Sequence, residues 1–150
     1  MAKIVQPLNN ADLGILAGTL SYAVKRAYLR VIRDLEPALE PLGFTPPLLA
    51  ALAIIGANPG IAPARLADAM GHGRSRAAPL VDALEALGHV TRGPGADRRS
   101  LELHTTARGE AMLASLAGLL AAHEARILGG MPAAEVRALA QRLTRIADGG

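Results

Sequence analysis

The sequence predicts a mainly α-helical chain with one small β-hairpin, and three patterns in it carry that prediction. Apolar residues recur at helical spacing through most of the 150 residues. Strict alternation of apolar and polar residues appears only at His89 to Arg92 and Leu101 to Thr105, on either side of the loop-forming run Gly93-Pro94-Gly95-Ala96-Asp97-Arg98-Arg99. Glycine and proline then cut the remainder into helices: Pro37 and Pro41, Asn58-Pro59-Gly60, Gly71, Gly88 and Gly129-Gly130.

In chain order, a polar stretch to Asn9 is followed by Asn10 as a helix cap with Asp12 in the first turn, where a carboxylate meets the positive helix end. The first helix is expected to run from there to Glu36 and to end at Pro37 and Pro41. Leu13, Leu16, Leu20, Val24, Ala27 and Val31 trace its apolar face; Lys25, Arg26, Arg30 and Arg33 lie on others, most simply as a solvated side. A second helix begins with Thr45 as cap and Pro46 in its first turn and passes through Leu48 to Ile55, apolar nearly all round and hence central. A short helix from Pro63 to Met70 closes at Gly71, and another from about Arg74 to Leu87 buries Ala77, Leu80, Val81, Leu84 and Leu87 before Gly88 stops it.

Helix, turn, helix and hairpin in that order is the arrangement of a winged helix-turn-helix, whose second helix enters the DNA major groove while the hairpin reaches the flanking backbone or minor groove. Charge follows the pattern. Between Gly71 and Leu80 stand Arg74 and Arg76 with no acid, and between Val90 and Ser100 stand Arg92, Arg98 and Arg99 against Asp97 alone. Double-stranded DNA is the expected partner, contacted by Arg74, Ser75, Arg76, Ala78, Arg92, Arg98 and Arg99, with Asp97 holding the wing arginines in place. Pro79 lacks the amide that would bond Ser75. The helix is therefore expected either to begin regularly only at about Ser75 or Arg76, or to kink.

These residues resemble the MarR family of bacterial transcription regulators. Asp97-Arg98-Arg99 followed by Leu101 through Thr106-Ala107-Arg108-Gly109 is similar to the family's wing signature. Pro41-Leu42-Gly43-Phe44-Thr45 and Leu80 through Val90 match its helix entry and the end of its recognition helix. The resemblance covers nearly the whole chain and implies one domain over 1–150. Its winged helix-turn-helix lobe would be 45–106, and its dimerisation lobe would be made of N- and C-terminal helices in 10–44 and 107–148. It implies a homodimer on a pseudo-palindromic site, and a pocket between the lobes for a small-molecule effector, often an aromatic acid or related anion. Tyr22 and Arg26, one helical turn apart, supply an aromatic wall and a carboxylate partner there, with Tyr28 a further candidate on another face.

The helices after Thr106, with Met112, Leu113, Leu116, Leu119, Leu120 and Ile127, then Val136, Leu139, Ala140, Leu143 and Ile146, carry more apolar surface than a small winged-helix core can cover. With no cysteine, disulfides, thiolate metal sites and cysteine redox sensing are excluded. His72, His89, His104 and His123 never fall four apart, no phosphate-binding loop or nucleophile elbow occurs, and so no catalytic site, metal or cofactor is expected. No signal peptide opens the chain and no apolar run approaches the ~18 residues of a membrane span, so a cytoplasmic protein without a membrane partner is expected. A net charge of +3 is compatible with DNA. Two other readings stay open. The alanines Ala77, Ala78 and Ala83 suit an adaptor that binds a protein instead of DNA, and a non-specific architectural DNA protein would need no effector.

Overall fold

The computed structural model describes residues 12–71, 73–95 and 100–149, with the backbone but not the side chain of Arg74. Six α-helices and one hairpin follow in order: α1 Leu20–Leu39, α2 Pro46–Ala57, α3 Pro63–Ala69, α4 Arg74–Ala86, β1 Val90–Pro94, β2 Leu101–Thr105, α5 Ala107–Leu128 and α6 Ala133–Ala147.

The first helix departs from expectation at both ends. Asn10 lies outside the described residues, and a single 3-10 turn, Gly14–Leu16, stands where continuous helix was expected. Gly14 and Gly18 take positive φ, 51° and 74°, which interrupts the helical pattern, and α1 begins only after Thr19. At the other end α1 runs through Pro37 to Leu39. Leu35 and Leu39 are buried in the core there, and their packing outweighs the one hydrogen bond that proline removes. Glu40–Leu42 tightens into a 3-10 turn and Gly43, at φ 70°, stops it.

Thr45 caps α2 by accepting from the Leu48 amide, and Leu48, Leu49, Ala51, Leu52 and Ile55 make α2 the buried centre. Leu66 and Ala67 of α3 and Ala77, Val81 and Leu84 of α4 close over it, with Gly71 and Gly88 as left-handed stops. Helix α4 starts at Arg74, as the apolar period predicts, without the later start at Ser75 or Arg76 that Pro79 suggested, and is unbroken through that proline. Its first turn is tight, since the Gly73 carbonyl accepts from both Arg76 and Ala77. Ser75 and Pro79 are both exposed, so water can serve the carbonyl that the proline leaves without an amide.

The hairpin pairs Val90 with Thr105 through Pro94 with Leu101. Gly93 and Pro94 thus belong to the strand and not to the loop, tolerated because a two-stranded ribbon leaves proline an outer edge with no partner to serve. Leu103 is buried, but Leu101 is exposed, because this end of the hairpin has left the core behind. Ile61 bridges the other edge of β2 at Leu103, a pairing the sequence pattern did not announce.

The Thr106-x-x-Gly109 motif has a physical reason. Thr106 accepts from the Gly109 amide to cap α5 and donates to the Gly88 carbonyl, tying α5 to the end of α4. A Cβ on Gly109 would sit 2.2 Å from the His89 carbonyl oxygen, so only glycine fits. By length and mean hydropathy α5 would pass as a membrane span. Its uncharged middle, 111–122, is nevertheless shorter than the ~20 residues required, and the buried Leu116 makes α5 a wall of the core. Helix α6 buries no residue.

Candidate nucleic-acid interface and effector site

Helix α4 separates its residues cleanly. Ala77, Val81 and Leu84 face the core, whereas Ser75, Arg76, Ala78 and Pro79 are exposed toward its N-terminal end. Arg76 makes no ion pair among the described residues, leaving its five-donor guanidinium available. The side chain of Arg74 lies outside the described residues, as do His72 and the wing tip Asp97, Arg98 and Arg99.

Arg92 stands differently from its expected role. Its guanidinium is held by Asp82 and, at 3.1 Å, by Glu85, both on α4, so β1 is tied to the helix that it follows. Asp82 and the neighbouring Glu85 raise the Arg92 pKa still further, against the opposing effect of burial. The pairing also offsets one of the two negative charges that Asp82 and Glu85 would otherwise present to phosphate. Sequence reasoning passed over Arg65, an exposed cation on α3 beside an open concavity of about 500 Å³ lined by Asn58, Gly60 and Ile61. Its place on the helix preceding the turn was the available signal.

Of the three effector candidates, two come together. Tyr22 and Arg26 line one open concavity of about 340 Å³ with Leu13, Leu16, Leu20 and Ala23, a mostly apolar hollow with a cation at its rim. Tyr28 is not part of it and is 61% exposed elsewhere on α1.

A polar cluster that the sequence did not reveal, half-buried and built around the buried His123, joins α1 to α5. Asp34 Oδ2 lies 2.7 Å from His123 Nδ1 and accepts from Arg126 at 2.8 Å. Arg126 first and His123 second hold the Asp34 carboxyl below the ordinary carboxylate range. His89 is buried with its ring tilted against Phe44, centroids 5.4 Å apart, and its Nδ1 has no hydrogen-bond partner among the described residues. Burial, and then the charge of Arg108, push its pKa down. Among the described residues no group of three or more acidic or histidine side chains is placed to hold a metal.

A sequence model of the MarR family matches residues 42–100, the span holding α2, α3, α4 and β1. Over a longer reach, the chain is 33% identical to a putative transcriptional regulatory protein for the hcr operon of Thauera aromatica, across 114 residues that cover 71% of this chain and 69% of that protein. The chain belongs to the MarR family. It is a winged-helix, DNA-binding transcription regulator and not an enzyme. Among solved structures of the family, the transcriptional repressor CouR bound to a 23-mer DNA duplex matches with a TM-score of 0.82 at 34% identity, covering 93% of this chain and 99% of that one. The Mycobacterium tuberculosis MarR-family protein Rv2887, in complex with p-aminosalicylic acid, matches with a TM-score of 0.69 at 28% identity over 86% of this chain and 98% of that one.

Proposed function

We propose that this MarR-family regulator is a cytoplasmic, ligand-responsive repressor that binds a pseudo-palindromic operator as a homodimer. The observation that carries the reading is α4: its inner face is spent on the core while Ser75, Arg76 and Ala78 stand free at its N-terminal end, where backbone amides and the helix dipole also favour phosphate. In this reading residues 45–106 read DNA. Arg76 makes a bidentate contact to a guanine, Arg74, Arg98 and Arg99 contact backbone or minor groove, and Asp97 positions the wing arginines. Arg92 serves as a positioning residue through Asp82 and Glu85.

Residues 10–44 and 107–148 make the dimer. Leu20, Val24 and Tyr28 of α1 and Leu139, Leu143 and Ile146 of α6 are large and exposed, which a second copy would cover. Two-fold symmetry would set the recognition helices roughly 34 Å apart, one DNA turn. A small aromatic acid or related anion seated on Tyr22, with Arg26 on its carboxylate, would shift that spacing. The salicylate-type ligand of Rv2887 supports this class. The adaptor reading loses its motive, because Ala77 is buried against neighbouring helices and Ala83 is partly buried; only Ala78 is exposed.

Binding-site selection with wild type and Arg76→Ala tests the assignment. The wild type should return a two-fold motif, and the variant should lose preference at one base pair per half-site, worth about 1 to 3 kcal/mol. An unaltered motif from the variant removes Arg76 from base reading. No enrichment at all, with a random duplex bound as well as the chain's own promoter, favours an architectural protein, and no binding to either favours an adaptor.

A further inference from the structure

His89 stands where α4, the hairpin and α5 meet. Its amide donates to the Leu84 carbonyl near the end of α4, its carbonyl accepts from the Thr106 amide at the cap of α5, and Gly109 is pressed against that same carbonyl. Gly88, at positive φ, turns the chain just before it, and the Gly88 carbonyl is held by the Thr106 hydroxyl. A swing of α4 relative to α5 therefore strains this joint. The side chain fills its inner side: His89 is 2% exposed, and its ring lies against Phe44 at the entry to α2.

The surroundings of the ring suit one protonation state. A neutral imidazole can carry its proton on Nε2 and leave Nδ1 bare. Protonated, it would carry a second N–H on Nδ1, for which no acceptor stands among the described residues, together with a charge that burial penalises. Arg108 on α5 adds a like charge, and its backbone acts the other way without reversing the shift. The remaining neighbours of residue 89 do not titrate: Leu84 and Gly88 from α4 and its end, Thr106 and Gly109 from α5 and its cap, and Phe44 from the entry to α2. Glu36 and Glu40 line a surface hollow with Phe44, and neither is among the charges that shift the ring. Among the described residues, no carboxylate stands ready to receive the added charge.

We propose that His89 is a proton-operated latch on DNA binding: neutral, its ring locks α4, β1 and α5 into the arrangement that fits the duplex, and on protonation it withdraws from Phe44 to water and loosens the joint. The latch goes beyond the effector reading and does not depend on it. Because DNA binds the closed form, it must expel the proton to the same degree that acid weakens DNA binding. Affinity should be flat at higher pH and fall as pH drops below about 6.5, the ordinary histidine value, by at most about tenfold per pH unit for each subunit that must close. The chain's three other histidines are common to wild type and to variants at residue 89, so their titration cancels in the comparison.

The test measures the affinity of the full chain for its promoter duplex by fluorescence anisotropy between about pH 8.5 and pH 5.5, for wild type, His89→Phe and His89→Gln, with far-ultraviolet circular dichroism at each pH. The ratio of His89→Phe to wild-type affinity should rise about tenfold or more from pH 7.5 to pH 5.5 while the circular dichroism of both holds, and His89→Gln should show the same flattened profile. Calorimetry near pH 6, in buffers of different ionisation heat, should show wild type releasing up to about one proton per subunit more than either variant on binding the duplex. A constant ratio overturns the proposal. So does an affinity loss that tracks loss of circular dichroism, which would make His89 a stability residue alone. Nuclear magnetic resonance of the wild-type ring decides the matter if both variants fold poorly: His89 should be charged in the free chain at about pH 5.5 and neutral in the complex, and one state in both overturns the latch.

Discussion

The winged-helix half and the terminal helices use apolar residues in opposite ways. Between α2 and β2 nearly every large aliphatic side chain is inside: Leu52, Ile55, Leu66, Leu84 and Leu103 are fully buried. Helix α6 has as regular an apolar stripe, yet it buries nothing, and Ile146 is 58% exposed. The same periodicity thus serves two ends. Where loops are short and helices cross, the stripe is satisfied within the chain, and where a helix leaves the body it marks a surface for another molecule.

Substitution in each half should separate these roles. Leu52→Ala, at a fully buried site, should lower the free energy of unfolding by about 2 to 5 kcal/mol, measured by urea denaturation, with the surviving folded protein still dimeric. Leu139→Ser with Leu143→Ser should leave the winged-helix circular dichroism in place but yield a monomer by sedimentation and weaken promoter binding by about a hundredfold, as the two half-sites are no longer linked. A dimer that persists in the double variant would assign the α6 stripe to something else.

A smaller effect lies among the terminal helices, where α1 meets α5. Asp34→Ala leaves His123 buried without its acceptor and Arg126 without its carboxylate, and should cost about 1 to 3 kcal/mol. Asp34 has a depressed folded pKa, so its stabilisation is present above the unfolded value of 3.8 and is lost as pH falls through the lower folded one. The wild type should therefore lose part of its advantage over Asp34→Ala in strong acid. A constant difference between the two from pH 7 to pH 3 would show that the cluster contributes by packing alone.

How much of this was legible in the sequence follows from the range of the interactions. Helix stops at Gly71, Gly88 and Gly129, the Thr45 cap and the hairpin alternation are local, and the residue pattern shows them directly. The late start of α1 is also local, set by Gly14 and Gly18 at positive φ, but a continuous apolar stripe masks it in the residue pattern. The continuation through Pro37 was not local, because it depends on Leu39 finding a core made by α2 and α5. The site divided in the same way. Exposure of Ser75, Arg76 and Ala78 follows from the helical period, whereas the pairing of Arg92 with Asp82 and Glu85 forms only once β1 folds back along α4. The pairing of Asp34 with His123, 89 residues away, has no sequence signature.

The finest test of the join concerns His89, which the fold buries between the two halves with its ring on Phe44 and with no partner for Nδ1 among the described residues. A histidine whose folded pKa is pushed below the unfolded 6.5 binds its proton more readily when the chain unfolds. Stability should thus be constant at higher pH and fall as pH drops below about 6.5, until the folded pKa is passed. One proton limits the slope to about 1.4 kcal/mol per pH unit. His89→Phe keeps the aromatic contact and removes the proton, so its unfolding free energy should decline less than that of the wild type between pH 7.5 and pH 5.5. Phenylalanine adds volume in a closed space, which shifts the whole curve but not its slope. If wild type and variant keep parallel pH dependences over that interval, the titrating group lies elsewhere, and the buried ring at the junction is a packing residue only.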